Sequence, residues 1–545
     1  MAERDLMILA NIILDKVETS PDLDVLTFVN VEQDGSLTDE IRTYRQLWQN
    51  GCRIAEALEE EGMVKGDSFG LLMQNHPEFV DVMVGSSIEG SVFVPIDPRT
   101  KGQKLQYMLS FAECRGVVVA DYALANLMEV LDQLPQLQWV WVLETGLNAE
   151  RPTKGLRVRE LAAILDRNYM ERPVKVTDAA APMQYLYTSG TTGDPKAILG
   201  PYARFGSIAA LGPVVGLQEG DRPYTGLSLT HANAQLITLG NCLRQGLRGV
   251  ISRKFTKSRL WDITRKYGCT MFNLLGGMTT AVFADPLKPD DADNPVRYVF
   301  SAGMPKAIWE DFAKRFNVDI YEFYGAAEGG LTLNPPGHGG PVGSIGKAPP
   351  SMICTIRDED DNECAAGEAG EICFQNADGS VPVVSYHKNP EASAKKTADG
   401  WLRMGDIGHM DEDGWVFFHY RKGGGIRVNG DFINPAFVEK EIASHPHIDD
   451  VFVYGVPAAS GVPGEKDVVA AVVAKDKANF DPNVLFFHCR AHLESNFVPK
   501  YLQLMDEIPK TASEKPQERF CLEAFESQPE CVFAETDVTS FIRGE

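Results

Sequence analysis

The chain has 545 residues, of which 44% are hydrophobic and 23% charged, and a formal net charge of -24. That length calls for two or more domains, and that balance provides ample material for packed cores. The surplus of negative charge repels phosphate backbones and anionic lipid, which excludes nucleic acid as a main partner; an anionic substrate needs a locally positive or metal-bearing pocket.

The 10 cysteines are scattered from Cys52 to Cys531 without a CxxC pair, a pattern that fits reduced thiols. The first residues lack a signal peptide's basic region and apolar run, and no apolar stretch reaches a bilayer-spanning length. A soluble, cytoplasmic protein is the expectation.

From about Thr43, helical and strand periods alternate. Leu47, Ile54 and Leu58 share one helical face, which ends before Gly62. The pattern then predicts a strand over 68–73, a helix over 77–88 and a strand over 92–96. A helix over 104–111 and a strand over 116–120 follow. Short apolar strands separated by amphipathic helices indicate a parallel sheet with right-handed crossovers, and a similar alternation returns between 256 and 324. After the loop-like stretch 335–341, residues 353–356, 370–374 and 415–420 read as antiparallel strands. Arg421-Lys422-Gly423-Gly424-Gly425 reads equally as a hinge between domains and as a hairpin turn. The expected fold is therefore α/β: a large N-terminal domain (1–420) of parallel and mixed sheets with helices and a small β-rich subdomain. A hinge (421–425) and a small, mobile α+β C-terminal domain (426–545) complete it.

The strongest local signal is Tyr187-Thr188-Ser189-Gly190-Thr191-Thr192-Gly193-Asp194-Pro195-Lys196. Its two glycines allow close backbone approach, while four hydroxyls and a lysine concentrate phosphate-binding groups in one loop. It lacks the spacing of a Walker loop. Gly66-Asp67-Ser68-Phe69-Gly70 matches G-x-S-x-G, but Ser68 opens a strand instead of following one, so no nucleophile elbow is expected. His488 and His492 are spaced i, i+4 without an H-E-x-x-H pattern, which favours a helix surface over zinc.

The loop at 187–196 resembles the phosphate-loop signature of the adenylate-forming superfamily, which includes acyl-CoA synthetases, adenylation domains of peptide synthetases and firefly luciferase. Further motifs follow in that family's order over nearly the whole chain. The resemblance implies that Thr188, Ser189, Gly190, Thr191, Thr192, Gly193 and Lys196 cradle ATP phosphates, with Thr188 acting in catalysis and Thr191 beside a metal. Tyr324-Gly325-Ala326-Ala327-Glu328 is similar to the family's Tyr-Gly-x-Thr-Glu. It implies that Tyr324 packs on adenine, with Gly325 and Ala327 lining the nucleotide, and that Glu328 helps hold Mg²⁺. Ala327 departs from the family's threonine and leaves one phosphate contact in doubt. Ser301, Ala302 and Gly303 resemble the adenine-lining segment, and Met304 borders the acyl pocket with His231, Asn233, Gly276 and Gly277. His231 is read as a gate of the acyl pocket. Asp406, in Trp401-Leu402-Arg403-Met404-Gly405-Asp406, matches the ribose-binding aspartate, and Arg421 the arginine that reaches ribose or phosphate. Gly424 falls at the hinge position, Gly430 on the loop that faces the site during thioester formation.

Pro509-Lys510-Thr511-Ala512-Ser513-Glu514-Lys515 resembles Pro-Lys-Thr-x-x-Gly-Lys, with Glu514 replacing glycine, and assigns Lys515 to the first half-reaction. An ammonium between carboxylate and phosphate offsets their repulsion. The implied activity is that of an AMP-forming acyl-CoA synthetase using ATP, Mg²⁺ and coenzyme A. Its acid is expected to be bulky and mostly apolar, from the small apolar run 274–278 and a local similarity to crotonobetaine/carnitine-CoA and steroid or bile-acid CoA ligases. The implied partners are those small molecules, with neither nucleic acid nor integral membrane association; a homodimer is left open. Loading of a carrier protein and a degenerate nucleotide sensor are the alternatives.

Overall fold

The computed structural model describes residues 4–147, 149–152, 155–187, 195–334, 340–358, 360–421, 426–428, 431–433, 435–459, 466–493, 495–511, 514 and 516–535. The apolar runs read as strands do form a parallel sheet. Seven strands lie in the order Arg157–Glu160, Trp139–Leu143, Gly116–Ala120, Ser68–Leu72, Val92–Pro95, Pro182–Tyr187, Ala197–Pro201. All neighbours are parallel except the last pair, which turns back on itself. Ser68 is the first residue of its strand, so the G-x-S-x-G match is no elbow.

A second sheet has eight strands, with Met271–Leu275, Tyr298–Ala302 and Asp319–Ala326 as parallel neighbours and Gly329–Leu333 antiparallel at the edge. The helix Pro77–Glu89 is buried along almost its whole length and belongs to a core shared by residues of both sheets. It packs on the helix Tyr44–Glu60 at a distance only glycine permits. A Cβ on Gly85 would stand 2.3 Å from Ile54 Cγ2, and one on Gly51 2.5 Å from Val84 Cγ1. The expected helix over 104–111 runs Gly102–Phe111, two residues longer at its start.

Beyond residue 340 the pattern changes as the sequence suggests. Met352–Arg357, Gly370–Asn376, Leu402–Met410 and Val416–Arg421 form an antiparallel sheet with its own small core. After 421 a separate core gathers Ile426, Val438, Leu485, Phe486, Cys489 and Leu502. Here the strands Ile448–Pro457, Lys466–Ala474, Tyr501–Met505 and Val532–Ala534 carry the helices Pro435–Ala443, Pro482–His492 and Glu518–Ser527. The whole is α/β, a large domain of sheets and helices joined to a smaller one containing β-structure. Among the described residues no helix is long and apolar enough to cross a membrane, and all ten cysteines are free.

Candidate active site

The parallel neighbours Val92–Pro95 and Pro182–Tyr187 end on the same sheet edge, where ligands bind in open α/β sheets. Pro182–Tyr187 runs directly into 188–194, and the chain returns antiparallel as Ala197–Pro201. Thr188, Ser189, Gly190, Thr191, Thr192 and Gly193 lie outside the described residues, as do Gly424, Gly430 and Lys515. Lys196, at the loop's exit, places Nζ 5.2 Å over the ring of Tyr386. The Tyr386 hydroxyl in turn donates to Glu328 Oε1 at 2.9 Å. Tyr386 is held there by main-chain bonds to the returning strand, Leu199 N to Ser385 O at 2.9 Å and His387 N to Ala197 O at 2.8 Å. The phosphate-loop lysine and the candidate metal carboxylate therefore share one aromatic partner.

A second group adjoins the first. Leu402–Met410 alternates buried and half-buried residues, so Asp406 falls on the same inward face as Leu402 and Met404. Its Oδ2 accepts from the Tyr324 hydroxyl at 2.5 Å, and its Oδ1 lies 3.4 Å from Arg421 Nε. Asp406 and Arg421 are direct cross-strand partners, which is why residues far apart in the chain meet. Burial, with Asp406 alongside, holds the Tyr324 hydroxyl well above the usual phenol range, so it stays a donor. Tyr324 stacks beside Phe374, ring centroids 6.4 Å apart. The Ala326 and Ala327 carbonyls are gripped by Arg204, at 2.8 Å to Ala326 O.

Lys396, from the helix Pro390–Lys396, donates to Met404 O at 3.1 Å. Burial lowers its ammonium below the usual lysine range, while Glu328 pulls it back up. Lys196, Arg204, Lys396 and Arg421 thus surround two carboxylates, Glu328 and Asp406. A strongly acidic chain has built the locally positive site that a polyphosphate requires.

The Ser301–Met304 segment sits at the end of Tyr298–Ala302, beside Asp319–Ala326. Gly303 adopts φ 101°, in the left-handed region that favours glycine. Its amide and that of Met304 donate to the carboxyl of Glu322, the latter at 3.1 Å to Oε2. Glu322 is 2% exposed, and burial pushes it up to about 7 against the opposing pull of the two amides. Gly276 and Gly277 open the helix Gly276–Phe283 directly after Met271–Leu275. His231 Nδ1 accepts from Asn233 N at 3.3 Å, ahead of the π-helical turn Asn233–Leu239. Such turns concentrate at functional sites. Asn233 Oδ1 accepts from Asn273 Nδ2 at 2.7 Å, and Asn273 Oδ1 from Thr238 at 2.7 Å, so this wall is a satisfied buried polar network.

Thr511, from the other domain, reaches the same part of the large domain. Arg99 Nη2 donates to Thr511 O at 3.3 Å, and Arg99 is also paired with Asp97 at 3.0 Å. Asp97 and Arg99 follow the strand Val92–Pro95, neighbour of the strand that opens the phosphate loop. Burial raises Glu514, while the nearby charges of Arg99 and Lys510 lower it.

Sequence reasoning missed Tyr386, Arg204, Lys396 and Arg99. Each owes its place to tertiary contact, and Lys395-Lys396 in a polar helix carries the signature of an ordinary solvated surface.

Cations gathered around two carboxylates where parallel strands end, with a tyrosine–aspartate–arginine group and a second domain in contact alongside, are the arrangement of an adenylate-forming enzyme. The family comparison agrees: the AMP-binding enzyme model matches residues 15–380, and the AMP-binding enzyme C-terminal domain matches 438–515. The chain belongs to the AMP-binding enzyme family. It is 27% identical over 480 residues to crotonobetaine/carnitine–CoA ligase of Salmonella typhimurium, covering 87% of this chain and 91% of that protein. It is 28% identical over 508 residues to steroid-22-oyl-CoA synthetase of Rhodococcus jostii, covering 88% and 87%. The crystal structure of the anthranilate CoA ligase AuaEII with anthranoyl-AMP superposes with TM-score 0.80 at 23% identity, covering 96% of this chain and 98% of that one.

Proposed function

We infer that the protein is an AMP-forming acid–thiol ligase that activates a carboxylic acid as acyl-AMP and transfers the acyl group to coenzyme A. The observation that carries this is the meeting of the Tyr324–Asp406–Arg421 group with Lys196, Tyr386 and Glu328 beside the loop at 187–196.

Asp406 accepts hydrogen bonds from the ribose hydroxyls with Arg421 beside it, and Tyr324 presents its ring to adenine. Glu328, a hard oxygen donor next to a polyphosphate site, fits Mg²⁺, with Thr191 as its companion. The ion would neutralise charge on the phosphates. Lys196, Arg204 and Lys396 supply fixed positive charge, and Lys515 reaches the α-phosphate from the small domain. In the first step a carboxylate oxygen bonds to the α-phosphorus as the bond to the pyrophosphate oxygen breaks. In the second, the thiol sulfur bonds to the acyl carbon, AMP leaves and the thiol proton passes to solvent. A swivel about 421–425 withdraws Lys515 and brings Gly430 forward between the steps.

The acid we propose is bulky and mostly apolar, received by Met304, Gly276, Gly277 and the wall that follows His231 and Asn233. Leu274 and Met278 make that wall apolar, and the named relatives act on crotonobetaine or carnitine and on a steroid acid. Ten free thiols fit work in the reducing cytoplasm.

The test is pyrophosphate release from MgATP across a panel of carboxylic acids with coenzyme A present. Release that depends on the acid is expected; none with any acid would refute the activity. Lys515→Ala should abolish adenylation while sparing thioester formation from supplied acyl-AMP.

A further inference from the structure

The helix Pro482–His492 carries His488 and His492 one turn apart on a single face. No carboxylate follows them in an H-E-x-x-H pattern, but the fold brings one from elsewhere. The helix Pro435–Ala443 packs alongside and sets Glu441 against both rings. His488 Nε2 lies 3.2 Å from Glu441 Oε1, and His492 Nδ1 lies 3.8 Å from the same oxygen. One ligand atom from each of the three residues falls within 4.8 Å of the other two. His445, two residues past the end of the helix that carries Glu441, is 9% exposed and meets the His488 ring edge-on with centroids 5.1 Å apart.

We propose that Glu441, His488 and His492 form a binding site for a divalent transition-metal ion of the zinc type, with His445 packed against the His488 ring. Ligand atoms about 2.1 Å from a tetrahedral ion stand roughly 3.4 Å from one another, and the observed 3.2 and 3.8 Å bracket that spacing. Imidazole with one carboxylate is a nitrogen-rich donor set, which suits Zn²⁺, Cu²⁺ or Ni²⁺ and not the all-oxygen preference of Ca²⁺ or Mg²⁺. Two histidines one turn apart on one helix and a glutamate on the neighbouring helix hold the three ligands on rigid elements.

In the absence of an ion these groups satisfy one another. His488 Nε2 is 3.0 Å from the Glu441 carbonyl and 3.4 Å from Ser444 Oγ, and His492 Nδ1 is 2.8 Å from the His488 carbonyl. The ligand is the neutral imidazole, so as the ion takes His488 Nε2 the proton there moves by way of water to Nδ1. His492 Nδ1 likewise gives up its bond to the His488 carbonyl for the ion, its proton moving to Nε2. None of these residues belongs to the nucleotide site. Bound metal would tie the first helix of the small domain to Pro482–His492 and so stiffen the body that must swivel as a unit.

The test is equilibrium dialysis of the full-length, reduced, chelator-stripped protein against Zn²⁺, with Co²⁺ as spectroscopic probe. One ion per chain is expected, and a Co²⁺ spectrum showing visible d–d bands without a thiolate charge-transfer band. The double variant His488→Gln/His492→Gln, and independently Glu441→Gln, should bind at least about tenfold more weakly while acid-dependent pyrophosphate release stays at the wild-type rate. Three results would overturn the site: no retained ion, unchanged affinity in variants that still turn over, or a thiolate band placing the ion on cysteine.

Discussion

Lys396 is the residue whose role the geometry changes most. Alone in the chain it reads as a solvated charge on a polar helix. In the fold its ammonium is half-buried against Met404 O, in the field of Glu328, Asp406 and Arg421. A buried cation costs solvation unless an anion repays it, and the two carboxylates beside it already have other partners in Tyr386, Tyr324 and Arg421. A triphosphate entering the site is the anion that completes the balance. Lys396→Met is therefore expected to lower kcat/KM for MgATP by about tenfold, the worth of one charge-assisted contact. Lys396→Arg should recover part of the loss and the thermal midpoint should hold; an unchanged kcat/KM in Lys396→Met would show that the ammonium serves packing alone. Ala327 offers the converse experiment. Its carbonyl is held by Arg204, so the loop keeps its position without a hydroxyl. Ala327→Thr should raise the rate of acyl-AMP formation, up to about tenfold if the hydroxyl gains a full hydrogen bond to a charged oxygen, as single-turnover adenylation would report.

At the scale of elements, the strand Asp319–Ala326 joins stability to site geometry through Glu322. Its carboxyl holds the Gly303 and Met304 amides, and burial raises it to about 7 from an ordinary 4.5. Between those values the folded chain binds a proton that the unfolded chain has lost. The contribution is complete below about pH 4.5 and disappears as pH rises through about 7. Glu322→Gln keeps an acceptor for both amides and removes the titration, so its stability should vary less between pH 5 and 8 than the wild type's. Urea denaturation across that range reads the slope, and parallel slopes would count against a raised carboxyl. Elements of this kind were largely visible in the sequence. The strands Ser68–Leu72, Val92–Pro95 and Gly116–Ala120 are short apolar runs whose burial on both faces leaves little alternative. What periodicity could not show is which side chains face one another. Asp406 meets Arg421 through hairpin register, Tyr386 meets Glu328 through a bridge to Ala197–Pro201, and Glu441 meets His488 through helix packing. Those pairings belong to the tertiary structure, and only family likeness anticipated any of them. It singled out Tyr324, Glu328, Asp406 and Arg421 as candidates and was silent on Lys396, Arg204 and Tyr386, which the fold sets beside them.

For the whole molecule, the relation between the two domains decides which half-reaction this arrangement serves. Thr511 is bonded to Arg99, and Glu514 feels the charge of Arg99, beside the sheet end where the phosphate loop begins. Lys257 and Asp449 come within 3.9 Å across the same boundary. We propose that this docking belongs to adenylation, and that thioester formation requires these contacts to part. Arg99 bonds to a backbone carbonyl of the moving domain and is itself largely exposed, its side chain 62% accessible. Removing it should therefore loosen one docked state without disturbing a core. Arg99→Ala is expected to slow acid-dependent pyrophosphate release about fivefold, the worth of roughly 1 kcal/mol of hydrogen bond. Conversion of supplied acyl-AMP and coenzyme A to thioester should keep its rate, because that step uses the other orientation. Equal slowing of both half-reactions would mean that Arg99 acts within the large domain and that its bond to Thr511 is incidental.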